Sequence, residues 1–277
     1  MMKPHLVTNG QVFPEKRKKQ GRISVKLAFL LVILAVVPGM TITSCNNVKA
    51  PPLVIRVDDI QDFAFRDVQL FLLNESIINK VPLSLAVITG AFGNDGDIVP
   101  AVELALNSGS EVTIHGWEHE DIAALSLTDQ EALLSRSRSW IQNTLDYDAG
   151  IFVPPMYRYN KDTITALDRT GYKTISSFIA VSPLGELSDI ASVPATVELS
   201  NYTDSVWSLK SIDIIKTEIS ASIEEFGFAV IITHPQEFLT EGKLDQAKAE
   251  MFRTLLITLK MDYTFETLET LCKNLLR

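Results

Sequence analysis

Asp58-Asp59, His115 with His119, and His234 are the residues of this 277-residue chain whose types and spacing could do chemistry together. The aspartate pair closes the apolar segment Leu53-Val54-Ile55-Arg56-Val57. Two adjacent carboxylates repel, so a half-buried pair at a strand end is costly without a cation. One of them can ligate a metal while its neighbour stays free as a base. His115 and His119 lie four apart in His115-Gly116-Trp117-Glu118-His119; on a helical turn that spacing puts both imidazoles on one face. His234, before Pro235, ends Ala229-Val230-Ile231-Ile232-Thr233, and a histidine there suits a general acid because it titrates near working pH. Each motif alone has an ordinary reading: a turn aspartate pair beside Asp62, a solvated loop with Glu118, Glu120 and Asp121, and a core or surface histidine. Together, two histidines and a carboxylate with open positions bind zinc or a similar divalent transition ion and activate a water.

All three motifs follow short apolar runs, and helical patterns alternate with those runs along the chain. Strands are expected at 53–57, 83–88, 112–114, 151–153, 172–175 and 228–233. Helices are expected near 66–79, 98–108, 128–145, 162–169, 212–225 and 244–259. Thr128 and Glu131 suggest a capping box for the long helix, and Phe265, Leu268, Leu271, Cys272 and Leu275 form the apolar stripe of a terminal helix. Cys272 on that stripe reads as an inert small hydrophobe. Residues 180–209 read as loop with one or two short strands. Repeated β-α alternation implies parallel strands with helices outside. The expected fold is therefore α/β, a distorted (β/α) barrel, with an open doubly wound sheet as the alternative. In either, the carboxyl ends of the strands open onto one face, where sites are built.

Charge is unevenly spread. Residues 1–26 hold seven of the 25 Lys/Arg and one of the 34 Asp/Glu, so this segment is +6 and the remainder −15. A body this acidic is poorly suited to phosphate backbones, which excludes nucleic acid as the expected partner. An uninterrupted apolar run at 27–37 follows the basic segment, then Pro38-Gly39 and small residues. This order describes an export signal; counted through Thr43, the run is also compatible with an uncleaved anchor. Ile42-Thr43-Ser44-Cys45 is similar to a bacterial lipobox, in which Cys45 would be lipidated. The expected organisation is a basic cytoplasmic leader (1–26), a signal or anchor segment (27–45), a linker (46–52) and one domain (53–277). Membrane association through the N-terminal segment and an extracytoplasmic location follow. With two cysteines, one in the leader, no disulfide framework is available.

The order of motifs resembles the polysaccharide deacetylases, the NodB-homology group or carbohydrate esterase family 4, as a divergent member. The likeness rests on Asp58-Asp59, His115-x-x-x-His119, the strand end Val153-Pro154-Pro155-Met156-Tyr157, and the strand running into His234-Pro235, over about residues 53–265. It implies a NodB-type barrel, with Asp58 as catalytic base, Asp59, His115 and His119 as metal ligands, and His234 as the acid that protonates the leaving amine. The reaction implied is metal-assisted hydrolysis of N-acetyl groups on an amino-sugar polymer or glycoconjugate of the cell envelope, with Pro155 and Tyr157 at the substrate. Three features depart from the family pattern. Ile60 replaces the glycine of Asp-Asp-Gly. Val153 stands where an arginine normally orients the base, with Arg158 a shifted substitute. The aspartate that tunes the acid histidine has only Asp189 and Asp213 as candidates. Two alternatives remain open: a non-catalytic glycan- or partner-binding protein on the same fold, and a metal hydrolase of another amide or ester. Trp117, Phe152, Tyr157, Tyr159 and Phe238 are candidates for a sugar-stacking surface or for core and rim.

Overall fold

The computed structural model describes residues 50–181, 185–204 and 206–275. In chain order the elements are β1 (Pro52–Ile60), α1 (Arg66–Asn79), β2 (Leu83–Val87), α2 (Ile98–Asn107), β3 (Glu111–Ile114), α3 (Leu127–Leu145), β4 (Ile151–Phe152), α4 (Lys161–Arg169) and β5 (Thr174–Ile175). Five short strands follow: β6 (Gly185–Leu187), β7 (Ile190–Ser192), β8 (Val197–Glu198), β9 (Ser200–Thr203) and β10 (Val206–Leu209). The chain continues with α5 (Ile212–Phe226), β11 (Ala229–Thr233), β12 (Leu239–Thr240), β13 (Lys243–Leu244), α6 (Gln246–Leu259), β14 (Thr264–Phe265) and α7 (Leu268–Leu275).

The main sheet runs β6-β7-β5-β4-β3-β2-β1-β11-β8, with β14 also paired to β1. Every pairing in it is parallel except β6 with β7. β7 and β8 sit near opposite ends of this order, yet only residues 193–196 join them. Within that link Ala195 bridges to Phe178 beyond β5, and the Thr196 N–H donates to the Val230 carbonyl on β11. The sheet therefore curls round on itself, and helices cover its outside: a distorted (β/α) barrel.

Side-chain alternation along the strands sorts residues between two cores. Leu53, Ile55 and Val57 of β1 pack outward with the helices, in a cluster that includes Leu72, Val102, Leu134, Ile219 and Phe252. Val54 faces inward with Val230 and Ile232 of β11, Ile151, Val193 and Ala195. Leu268, Leu271 and Cys272 of α7 join that inner cluster, so α7 closes the end of the barrel where the strands begin. Cys272 is a buried free thiol there, with Sγ 3.4 Å from Thr174 Oγ1.

Several expectations are corrected. The N-cap of α3 is Ser126, whose hydroxyl accepts from the Asp129 N–H, and not Thr128. Phe265 belongs to β14 and not to the terminal helix. Residues 185–209 contain five short strands where one or two were expected; runs of two to four residues are too short to show a period. The expectations on the leader and Cys45 concern residues outside those described. Among the described residues, no helix is long and apolar enough to cross a membrane.

Glu111 begins β3 and is almost wholly buried beneath α7. Its carboxylate accepts from Ser84 Oγ at 2.6 Å and from the backbone N–H of Leu268 at 2.8 Å and Glu269 at 3.1 Å. Burial outweighs those hydrogen bonds and pushes its pKa up to about 7. The folded protein thus holds this proton more tightly than the unfolded chain does, so the stabilisation is full at acid pH and is lost as pH rises through about 7. Melting curves of the wild type and Glu111→Gln across this range should show a loss of stability with rising pH that the variant lacks. Parallel pH profiles would contradict the assignment.

Candidate metal centre and active site

Asp59 lies where the β1–β2 register breaks, between Val57 and Ile60, with φ at 61°. A bulge of this kind re-aims a side chain, and a non-glycine residue in the left-handed region carries strain that the surrounding structure must hold. Its Oδ2 accepts from Gln236 Nε2 at 2.7 Å. Its Oδ1 is buried without a hydrogen-bond partner and faces His115 Nε2 and His119 Nε2, each 3.4 Å away. That separation is too long for an N–H···O bond. It matches the edge of a tetrahedron whose corners stand about 2.1 Å from a central ion, the bond length of zinc to nitrogen and carboxylate oxygen. An orphaned carboxylate oxygen and two imidazole nitrogens at this spacing fit a divalent transition ion.

The histidines reach this arrangement by different routes. His115 follows β3, and its Nδ1 lies 2.8 Å from the Val153 carbonyl; donation there leaves the Nε2 lone pair facing Asp59. Residues 115–119 form an irregular loop and not the helical turn the spacing suggested, with Gly116 at φ +75° and His119 at 61°. At that φ a side chain on Gly116 would be strained, and its Cβ would crowd Glu120 Oε2 at 2.9 Å and Pro155 Cγ at 3.1 Å. Glu120 in turn accepts from the backbone N–H of Trp117 at 3.0 Å and Glu118 at 2.8 Å, tying the loop down. Burial and the neighbouring His115 lower the His119 pKa against the pull of Asp59, which favours the neutral ligand form. Burial opposes ionisation of Asp59, yet the imidazoles of His115 and His234 and the Gln236 amide hold its carboxyl well below the usual range.

Asp58 points the other way, held by a residue the motif reading passed over. Arg56 is fully buried, and its Nε and Nη2 donate to the two Asp58 oxygens at 2.8 and 3.0 Å. Its Nη1 donates to the Ser176 carbonyl at 2.7 Å, Ser176 Oγ at 2.9 Å and the Ser177 carbonyl at 3.1 Å. Ser176 and Ser177 follow β5, which β4, β3 and β2 separate from β1 in the sheet, so the guanidinium spans the barrel interior. The signal was the charge that interrupts β1: alternation puts residues 54, 56 and 58 on one face. Arg158, the expected substitute, is exposed and pairs with Asp121 at 3.1 Å.

His234 shows the same economy. Its Nδ1 lies 2.8 Å from Oε1 of the buried Glu237, which also accepts from the His234 N–H at 3.0 Å and from Thr233 Oγ1 at 2.8 Å. Nε2 is thereby left for the site. Burial alone would lower the His234 pKa, but the Glu237 hydrogen bond and the charges of Asp58, Glu237 and Asp59 raise it above its ordinary value. Asp189 and Asp213, the expected partners, are exposed on the surface. Trp207 on the β9–β10 hairpin packs over His234, with ring centroids 5.4 Å apart, and Tyr202 packs on Trp207 at 4.5 Å.

Of the other aromatics singled out, Phe152 and Phe238 are fully buried core. Trp117 is held by the Arg136 guanidinium, 3.8 Å from its ring, and by Trp140. Pro155 and Tyr157 lie in the turn after β4; Tyr157 stacks on Phe178 at 5.4 Å, with its phenol pKa raised by burial and by the Asp58 charge. A cleft of about 440 Å³ lined by Asp59, Gln61, Phe65, Ile88, Gly90, Ala91, Glu118, His119 and Gln236 opens beside the donor set.

Residues 67–175 match the family described as polysaccharide deacetylase. The matched stretch is 109 of the chain's 277 residues, so the chain is similar to this family over less than half of its length. The match includes His115, His119 and the Pro155–Tyr157 turn and leaves out Asp58, Asp59 and His234. A peptidoglycan deacetylase-like protein of Gibberella zeae is 28% identical over 97 residues, which are 35% of this chain and 29% of that protein. The chain therefore aligns with less than a third of the length of this curated relative. Among solved structures, the carbohydrate esterase family 4 domain of a multidomain xylanase from the hindgut metagenome of Trinervitermes trinervoides superposes with a TM-score of 0.56 at 15% identity, covering 82% of this chain and 91% of that one. A family 4 pseudoenzyme from Bacillus anthracis superposes with a TM-score of 0.54 at 13% identity, covering 80% and 66%. At these identities the structural likeness is one of fold.

Glu237→Gln should lower the His234 pKa by removing the carboxylate that raises it. In a pH titration of the histidine ring signals, His234 should deprotonate at lower pH in the variant. An unchanged midpoint would show that Glu237 does not set the charge of this imidazole.

Proposed function

We propose that this protein is a polysaccharide deacetylase, an exported, metal-dependent hydrolase that removes N-acetyl groups from an amino-sugar polymer or glycoconjugate of the cell envelope. The observation that carries the reading is the convergence of Asp59 Oδ1, His115 Nε2 and His119 Nε2 within 4.8 Å of one another, flanked by Asp58 and His234. Asp59, His115 and His119 would hold the ion, zinc being the first expectation. When bound, the ion supplies Lewis acidity, polarising a carbonyl oxygen and acidifying a water. Asp58, fixed by Arg56, takes the proton from the attacking water. His234, whose pKa the Glu237 hydrogen bond helps to raise, gives its Nε2 proton to the leaving nitrogen, so that acetate and a free amine result.

The cleft lining includes Asp59 and Glu118 but no lysine or arginine, which favours a neutral N-acetyl sugar over a phosphorylated one. Pro155 and Tyr157 are assigned to the substrate side of the site, beside Asp58. Export and membrane attachment rest on the basic segment and the apolar run at 27–37, with Cys45 as the candidate lipid attachment point. A binding role without turnover is the second reading, motivated by the pseudoenzyme on this fold and by Val153 in place of the family arginine. The Arg56–Asp58 pair argues against it, because the base is oriented by other means.

Two outcomes test the proposal. The wild type should bind about one equivalent of a divalent transition ion, with a rise in melting temperature on loading, and His119→Ala should lose both. Asp58→Asn should keep the ion and lose at least about 10²-fold in acetate release from N-acetylated oligosaccharides. Acetate release from small esters but not from N-acetyl sugars would redirect the assignment to an esterase. Ion binding without acetate release from either substrate class would favour the binding role.

A further inference from the structure

We infer that Arg56 divides the roles of the two adjacent aspartates: by occupying both Asp58 oxygens it keeps that carboxylate out of the ion's ligand set and aimed as a base. The inference rests on the metal-hydrolase reading above and assigns a positioning role to a residue that touches neither substrate nor ion. Neighbouring carboxylates at a strand end would ordinarily both be drawn to a divalent cation. Here the bulge turns Asp59 towards His115 and His119, while the fork of Arg56 holds Asp58 bidentately. The fork itself cannot swing, because its third nitrogen is tied to Ser176 and Ser177 across the barrel and the side chain has no exposed surface. Arg158 pairs with Asp121, and Val153 offers no donor from its side chain, so among the described residues Asp58 has its ion pair with Arg56 and not with a cation at the β4 end. A lysine at position 56 would keep the charge but not the paired, planar donation.

The test is visible absorption of the Co²⁺-loaded protein together with steady-state kinetics, for the wild type, Arg56→Lys, Arg56→Met, Asp58→Asn and the Arg56→Met/Asp58→Asn double variant. Co²⁺ d–d absorption weakens as coordination number rises. Both Arg56 variants should absorb more weakly than the wild type as Asp58 joins the ion, and the double variant should return to wild-type intensity. Arg56→Lys should lose about 10²-fold in kcat with KM little changed, as expected when a base is misplaced by about an ångström. A purely structural arginine would destabilise the fold without this spectral change and its reversal. Spectra and kcat indifferent to Arg56, or a spectral change that persists when Asp58 is absent, would overturn the inference alone. No Co²⁺ uptake by the wild type would overturn the metal-hydrolase reading along with it.

Discussion

Two carboxylates side by side at the end of a buried strand are the constraint around which this molecule is organised. Asp58 is 1% exposed and Asp59 9%, and neither could be ionised there without compensation. The compensation differs for the two. Asp58 has a guanidinium laid across the barrel interior, and Asp59 has two imidazoles, the Gln236 amide and one oxygen left open. Removing one member of a buried, hydrogen-bonded ion pair leaves the other uncompensated at roughly 3–5 kcal/mol. Arg56 and Asp58 therefore depend on each other for the fold as well as for the site.

The barrel makes that solution available. Arg56 lies in β1, an interior strand flanked by β2 and β11, and its side chain faces inward with Val54. Apolar side chains and α7 fill the end where the strands begin, which leaves the polar layer of Arg56, Ser176 and Ser177 beneath the strand-end face. Above it stand Asp58, Asp59, His115 and His234, one or two residues past the ends of regular pairing. Strain is gathered at the same level: Asp59, His119, Met156 and Tyr157 all have positive φ. Such conformations persist where packing over-determines them, as the Glu120 contacts do for the 115–119 loop.

Much of this was legible in the sequence. Helix α1 has the expected bounds, and β1, β2, β3 and β11 lie within a few residues of expectation, because their apolar runs are unbroken and their ends are marked by polar residues. The family motifs at Asp58-Asp59, His115, His119 and His234 meet on one face as their strand-end positions required. Arg56 was visible only as an interruption of an apolar strand. Its meaning lay in the alternation that puts it on the same face as Asp58, and in a partner just past β5 that is 120 residues distant. Glu237 follows His234 by one turn, but an acid three residues on is too common a spacing to single out. The segment 185–209 concealed most. Its strands are two to four residues long, and their place as the closing seam of the barrel depends on β5 and β11, not on any local pattern. Trp207 was lost with it.

Anomalous diffraction at a transition-metal absorption edge, on crystals grown with the ion, tests the central claim most directly. The account predicts a single strong peak about 2.0–2.2 Å from Asp59 Oδ1, His115 Nε2 and His119 Nε2, with Asp58 still paired to Arg56 and outside the coordination sphere. A peak elsewhere, or no peak at this position in a well-ordered crystal, would contradict it.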